Sequence, residues 1–254
     1  MTAHRVVVED ADGVRLVGFD RPEVRNAFDS AMYEAVIAAL SGALEDDALG
    51  AVVLTGRGPA FTSGQDLREM AAIAAGTLGE GAGSGFRGLL DLLVAFDKPL
   101  LAAVHGVGVG LGCTLLAHVD LVLVEEGTRL RAPFAELGVP PEAASSALLP
   151  ARIGWQRAAA MLLASEWIDA EAAVAAGLAL KVCRTGTVLA ETMELARRIA
   201  GYPTYATREI KRLMLAAAAP SIRAAREREE AAYAALFADP GANPGAGLTA
   251  PLGG

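Results

Sequence analysis

Lys98-Pro99-Leu100-Leu101-Ala102-Ala103-Val104-His105-Gly106-Val107-Gly108-Val109-Gly110-Leu111-Gly112-Cys113 is the stretch on which the fold turns. The apolar run after Lys98-Pro99 reads as a strand buried on both faces, and such strands belong to parallel sheets covered by helices. Glycine then alternates from Gly106 to Gly112 before a further apolar run. This spacing predicts a strand-to-helix turn, with residues 106–112 opening a helix that ends near His118. A dinucleotide-binding turn is one reading, but its fingerprint needs glycines at relative positions one, three and six. From Gly106 the sixth position is Leu111, and from Gly108 it is Cys113, so neither register fits. Two readings stay open. The glycines let helix and strand pack closely, or the turn aims free N–H groups at an anion or a polarised carbonyl, because a helix starts with four unpaired donors.

A second turn has the same character. Ala51-Val52-Val53-Leu54-Thr55 is another fully apolar strand, followed by a loop over 56–64 and a helix from Leu67. Within Phe61-Thr62-Ser63-Gly64-Gln65-Asp66-Leu67, Asp66 with Glu69 resembles a capping box. Two strand-to-helix turns from one sheet can place two N–H donors around one oxygen, the geometry that stabilises an oxyanion.

Outward from these turns, residues 6–9 and 14–19 read as strands joined by Asp12-Gly13, a hairpin signal. Asp29 caps a helix to about residue 43, with Met32, Val36, Ile37 and Leu40 on one face. A helix over 86–95 and a strand over 120–125 follow. After Ala151 the pattern is helical, over 155–164, 169–176, 188–200 and 204–234. The Gly/Ala-rich stretch 76–85 is expected to be mobile, and the Gly/Pro-rich tail from Asp239 frayed. Alternating strands and helices make the fold class α/β.

The bulk numbers narrow the function. A chain of 254 residues with 53% hydrophobic residues can bury a sizeable core. A net charge of -8 argues against a nucleic-acid partner. The apolar stretch 99–124 is interrupted by four glycines, two histidines and Asp120, so it reads as core and not as a membrane span. Cys113 and Cys183 read as core residues of a reducing compartment. His4, His105 and His118 have no metal-ligand spacing, so no metal site is expected. The start of the chain has no apolar signal-peptide core, and a cytoplasmic location is expected.

Three motifs, taken together, resemble the crotonase (enoyl-CoA hydratase/isomerase) family. Arg21-Pro22-Glu23-Val24-Arg25-Asn26-Ala27 is similar to its opening motif. Val52-Val53-Leu54-Thr55-Gly56 with Ala60-Phe61-Thr62-Ser63-Gly64-Gln65-Asp66-Leu67 resembles its first oxyanion segment, and the run from Lys98 to Cys113 its second. The resemblance implies an α/β spiral of β-β-α units over residues 1–200. It also implies a helical trimerisation region over 201–254 ending in the flexible tail, and homotrimers or hexamers. It places the oxyanion donors at the backbone N–H of Gln65 and Leu111, where the family usually has small residues. By the same resemblance Arg25, Ala27, Ser63, Gly64, Gln65, Asp66, Leu67 and Leu111 bind an acyl-CoA substrate, whose coenzyme A is not a separate cofactor. Lys211, with Arg208 and Arg212, is a candidate for the coenzyme's phosphates.

The reaction depends on acids. Family hydratases use two glutamates, which would fall at Thr114 and Phe134, and neither is acidic here. Residues 133–146 instead resemble the peroxisomal-type enoyl-CoA delta isomerase branch, in which one glutamate, matching Glu142, moves a proton between the α and γ carbons. Leu137, Val139, Pro140 and Leu148 are expected to bury Glu142 and raise its basicity. Pro140-Pro141-Glu142 also reads as a plain helix start. Glu136 reads as a surface charge or a partner to the site, and Ser145 and Ser146 as local hydrogen-bond formers. The resemblance thus implies a shift of an enoyl-CoA double bond from the β,γ to the α,β position. Alternatives are another crotonase reaction (hydratase, hydrolase or decarboxylase) or a non-catalytic acyl-CoA-binding homologue.

Overall fold

Asp12 (φ 54) and Gly13 (φ 75) take the left-handed conformations that a two-residue turn between twisted strands demands. They fold β1 (Val6–Ala11) antiparallel onto β2 (Val14–Phe19). The computed structural model describes residues 5–74, 77 and 83–239. The expected tail beyond Asp239, and most of the expected mobile stretch 76–85, lie outside those residues.

The chain continues through α1 (Ser30–Glu45), β3 (Ala51–Gly56), α2 (Leu67–Ala74), α3 (Ser84–Ala95), β4 (Leu100–Val104), β5 (Val107–Val109) and α4 (Leu111–Thr114). Next come β6 (Leu121–Glu125), β7 (Arg129–Arg131), α5 (Phe134–Leu137), α6 (Ser145–Ile153) and α7 (Trp155–Leu163). It ends with β8 (Ile168–Asp169), α8 (Ala170–Ala176), β9 (Lys181–Cys183), α9 (Val188–Ala200) and α10 (Thr204–Ala238). One sheet has the order β1-β2-β3-β4-β6-β9 and a smaller one β5-β7-β8. From β2 to β9 every pairing in the larger sheet is parallel.

The chain steps between the sheets. β4-β5-α4 and β6-β7-α5 each visit the large sheet, then the small one, then a helix. Residues 61–62 do the same ahead of α2, through a bridge from Thr62 to Gly108. This is the expected α/β crotonase spiral of β-β-α units. Both faces of its large sheet are apolar because both are covered. Val52, Leu54, Leu100, Ala102 and Val104 join the main core. Their neighbours Ala51, Val53, Leu101 and Ala103 pack with Val188, Met193 and Ala196 of α9.

Lys98, fully buried, donates from Nζ to the carbonyls of Ala43 and Asp46 at 2.7 Å each. An ammonium there satisfies carbonyls that the end of α1 leaves free. α10 rests on the core through Ile222 and Ala225, which pack against Ala144 and Val94. None of the described helices is long and apolar enough to cross a membrane.

Several expectations need correction. Residues 106–112 do not open one helix. They give β5, and α4 starts only at Leu111, because alternating apolar residues and glycines suit a short strand lying against residues 61–62. The chain after Ala151 is not all helix, since β8 and β9 extend both sheets. Such short strands draw their stability from neighbours and leave little periodicity in the sequence. α10 runs four residues beyond the expected end at 234. The capping box at Asp66 and Glu69 does not form. Asp66 does accept the Arg68 N–H at 3.1 Å, but Glu69 reaches across to accept the Ser30 N–H at 2.9 Å.

Candidate active site

The two turns are locked together by buried polar groups. Asn26, wholly buried at φ 57, donates from Nδ2 to the carbonyls of Arg57 (2.9 Å), Ala60 (2.8 Å) and Phe61 (3.2 Å). Its Oδ1 accepts the Arg21 N–H at 2.9 Å. The Thr62 hydroxyl donates to the Asn26 carbonyl at 2.7 Å and accepts the Gly64 N–H at 3.0 Å. Phe61 N–H donates to the His105 carbonyl (2.9 Å), and Val109 N–H to the Thr62 carbonyl (3.1 Å), so the first turn lies along the second.

Gly64 permits a close approach of the two turns. It sits at φ 90, and a Cβ there would lie 2.4 Å from the Val109 carbonyl oxygen and 3.2 Å from the Leu111 nitrogen. Only glycine fits both the conformation and the contact. Just beyond it, the N–H of Gln65 has no acceptor among the described residues. Neither has the N–H of Leu111, the first residue of α4. Gln65 and Leu111 line one cavity, together with Ser63, Leu67, Met70, Pro133, Phe134, Leu137, Val139, Tyr233 and Glu142.

Glu142 is the one acidic residue among those lining residues and is only 4% exposed. Its Oε1 accepts the Thr114 hydroxyl at 2.6 Å, while Oε2 is buried with no partner. Burial among apolar side chains pushes the carboxyl up to about 8. The Thr114 hydrogen bond opposes that shift, and the carboxylate of Glu229 adds to it.

Glu142 does not start a helix. Ala143 (φ 59) and Ala144 (φ 56) follow it in left-handed conformations, and α6 begins only at Ser145. Each such residue costs about 1–3 kcal/mol and persists only where its surroundings hold it. The Ala143 carbonyl accepts from His118 Nε2 at 2.8 Å. Burial pushes His118 down to about 4, so its ring is neutral and donates through that nitrogen. Glu229 of α10 accepts the Ala144 N–H (2.7 Å), the Ser146 N–H (2.9 Å) and the Ser146 hydroxyl (2.5 Å). The C-terminal helix thereby caps α6 and fixes the turn that presents Glu142.

Of the residues singled out in the sequence, Ser63, Gln65, Leu67, Leu111 and Glu142 line this cavity, and Gly64 sets its geometry. Arg25, Ala27, Asp66 and Glu136 do not line it. Arg25 is exposed and its carbonyl accepts the Ser63 N–H at 2.8 Å. The Ala27 carbonyl accepts from Arg21 at 2.6 Å, and Asp66 pairs with Arg21 at 3.3 Å. Glu136 pairs with Arg131.

Lys211 is not available to a phosphate. It is 5% exposed, and its Nζ donates to the Lys98 carbonyl at 2.8 Å and pairs with Asp120 at 2.7 Å. Arg208 and Arg212 both bind Asp97, at 2.9 and 2.7 Å. Of this basic stripe only Lys211 is turned inward, while Arg212 keeps an exposed side chain beside Asp97.

Sequence reasoning missed Thr114 as a partner, His118 and Glu229 as clamps, and Tyr233 as a wall. Thr114 was visible only as a position lacking an acid. Its function is testable. Thr114→Val removes a hydrogen bond that favours the charged form, so the pH at which Glu142 loses its proton should rise by about one unit. Activity at neutral pH should fall accordingly, and a pH–rate profile of the variant beside the parent checks it.

A match to the enoyl-CoA hydratase/isomerase family runs over residues 9–249. Enoyl-CoA delta isomerase 2 of Rattus norvegicus is 33% identical over 227 residues, covering 88% of this chain and 58% of that protein. The chain thus spans a little over half the length of that relative. The 2,3-dehydroadipyl-CoA hydratase of Escherichia coli (strain K12) is 31% identical over 234 residues, covering 92% of this chain and 90% of the relative. Among solved structures, an enoyl-CoA hydratase/isomerase from Pseudoalteromonas atlantica T6c superposes with a TM-score of 0.87 at 31% identity, covering 93% of this chain and 92% of that one. A match of this extent, on a spiral fold that brings the two turns together, makes the chain a member of the enoyl-CoA hydratase/isomerase, or crotonase, family.

Proposed function

We propose that this protein shifts the double bond of an enoyl-CoA thioester from the β,γ to the α,β position. The observation that carries this reading is the single acid at the cavity. Glu142 has one oxygen tied to Thr114 and the other without a partner, and no second carboxylate lines the cavity among the described residues. Hydration needs two such groups, whereas a double-bond shift needs one that works twice. Glu142 Oε2 takes the proton from the α carbon, and the electron pair moves into the thioester carbonyl to give a dienolate. The N–H groups of Gln65 and Leu111 stabilise its oxygen. The protonated Glu142 returns the same proton to the γ carbon, and the conjugated thioester forms. A carboxyl held near about 8 is matched to both steps, because it is a stronger base than an ordinary carboxylate and still a usable acid.

Coenzyme A enters as part of the substrate, and no separate cofactor takes part. The assembly we propose is a homotrimer or a pair of trimers, with the exposed Tyr205, Leu213 and Met214 of α10 at subunit contacts. The test of function is direct. Purified protein is mixed with a β,γ-enoyl-CoA series and the absorbance of the conjugated thioester is followed. A rise is expected. The same enzyme given an α,β-enoyl-CoA should form hydroxyacyl-CoA far more slowly, and the opposite ranking would overturn the reading.

A further inference from the structure

A side cavity, or branch, lies next to the main one and is left unused by the reaction. Gln65 and Met70 line both, and beyond them Phe28, Tyr33, Ile73 and Phe86 form an apolar wall. Tyr33 stands out in that wall. It is 6% exposed, and its hydroxyl is buried without a hydrogen-bond partner. Its ring is held by Phe28 (centroids 5.1 Å apart) and Phe86 (6.1 Å). α3 also presses on it, since a Cβ on Gly85 would lie 2.7 Å from the Tyr33 Cβ. Phenylalanine would fill the same space without burying an unsatisfied polar group, so packing alone does not account for the hydroxyl.

A second polar group shares the branch. Gln65 is half-buried and lines both cavities, and its carboxamide has no hydrogen-bond partner among the described residues. Between them Tyr33 and Gln65 offer N–H and O–H donors and one amide acceptor in apolar surroundings. The remaining polar side chains at the branch are already engaged. Ser30 bonds to Glu69, and Asp66 pairs with Arg21. The two carboxylates would repel an anionic chain end.

We propose that the acyl group carried by this protein's substrate bears an uncharged oxygen, a hydroxyl or a ketone, beyond the reacting carbons, and that Tyr33 and Gln65 recognise it. The inference rests on the reading of the cavity as an acyl-CoA site. It does not depend on Glu142 being the base, and the test uses binding alone to keep the two apart.

Saturated acyl-CoAs of matched length, plain or carrying one hydroxyl or oxo group at successive carbons, are titrated into the protein by calorimetry. At one position the oxygenated ligand should bind about tenfold tighter than its hydrocarbon match, the equivalent of one recovered hydrogen bond. Tyr33→Phe should erase that preference, keep hydrocarbon affinity and melt no lower than the parent. Gln65→Leu should erase it independently. Equal or weaker binding of every oxygenated ligand overturns the proposal, as does a preference that survives both substitutions. If oxygenated ligands are preferred but no β,γ substrate is turned over, the subsite stands and the isomerase reading fails.

Discussion

Glu142→Gln should lower turnover of a β,γ-enoyl-CoA by about 10²–10⁴-fold, the range for loss of one general base, while binding of saturated acyl-CoA is unchanged. The amide keeps the shape and can still meet the Thr114 hydroxyl, so the cavity and the Gln65 and Leu111 donors survive. The same variant makes a thermodynamic prediction of opposite sign. Glu142 is raised from 4.5 to about 8 in the folded protein. Between those values the folded chain holds a proton that the unfolded chain releases, so stability falls as pH rises through that window. Glutamine carries no such penalty. The melting temperature of Glu142→Gln should therefore gain on the parent between about pH 5 and pH 9. A variant that is inactive yet relatively more stable in alkali is hard to produce by misfolding. Retained turnover would refute Glu142 as the base, and a flat difference in melting temperature would refute its raised pKa.

Gly64→Ala should be as damaging by a different route. The added Cβ meets the Val109 carbonyl oxygen at 2.4 Å, a backbone atom that cannot swing aside, at a φ of 90 that disfavours any side chain. The two turns must separate, and the Gln65 and Leu111 N–H groups, the proposed oxyanion donors, are pulled apart. Loss of one oxyanion donor costs about 10²–10³-fold, so at least that loss in kcat is expected, with a lower melting temperature. Gly127→Ala is the control. Gly127 also has a positive φ, 79, but nothing lies within 4 Å of its added Cβ. It should lose only the roughly 1–2 kcal/mol of left-handed strain and keep its activity. Equal activity loss in both variants would show that backbone strain, and not the close approach of the turns, is what matters.

Much of this architecture was legible from local pattern. Residues 51–54 and 100–104 are apolar without interruption, which a strand buried on both faces requires, and both became central strands of the large sheet. Asp12-Gly13 specified its hairpin, and Asp29 capped α1 with a 2.8 Å bond to the Met32 N–H. The two glycine-bearing turns pointed to free backbone donors because each was read as leading a strand into a helix, whose first turn has unpaired N–H groups.

The bulk of the polar site was not local. Thr114 and Glu142 are 28 residues apart, and Glu229 reaches Ala144 across 85. No periodicity links such pairs. Whether Lys211 faced solvent or the interior could not be read from the alternating charges of its helix. Asp120, in the loop just before β6, decided it.

The sequence by itself determined the long buried strands, the hairpin and the family, because apolar runs and glycine spacing act on neighbouring residues and need no partner. Only the tertiary structure decided what the acid can do. The spiral lays one turn on the other at Gly64 and lets Thr114 hold one oxygen of Glu142. It brings α10 round to cap the turn that follows. Burial then raises the carboxyl's basicity, and burial is a property of the packed chain as a whole.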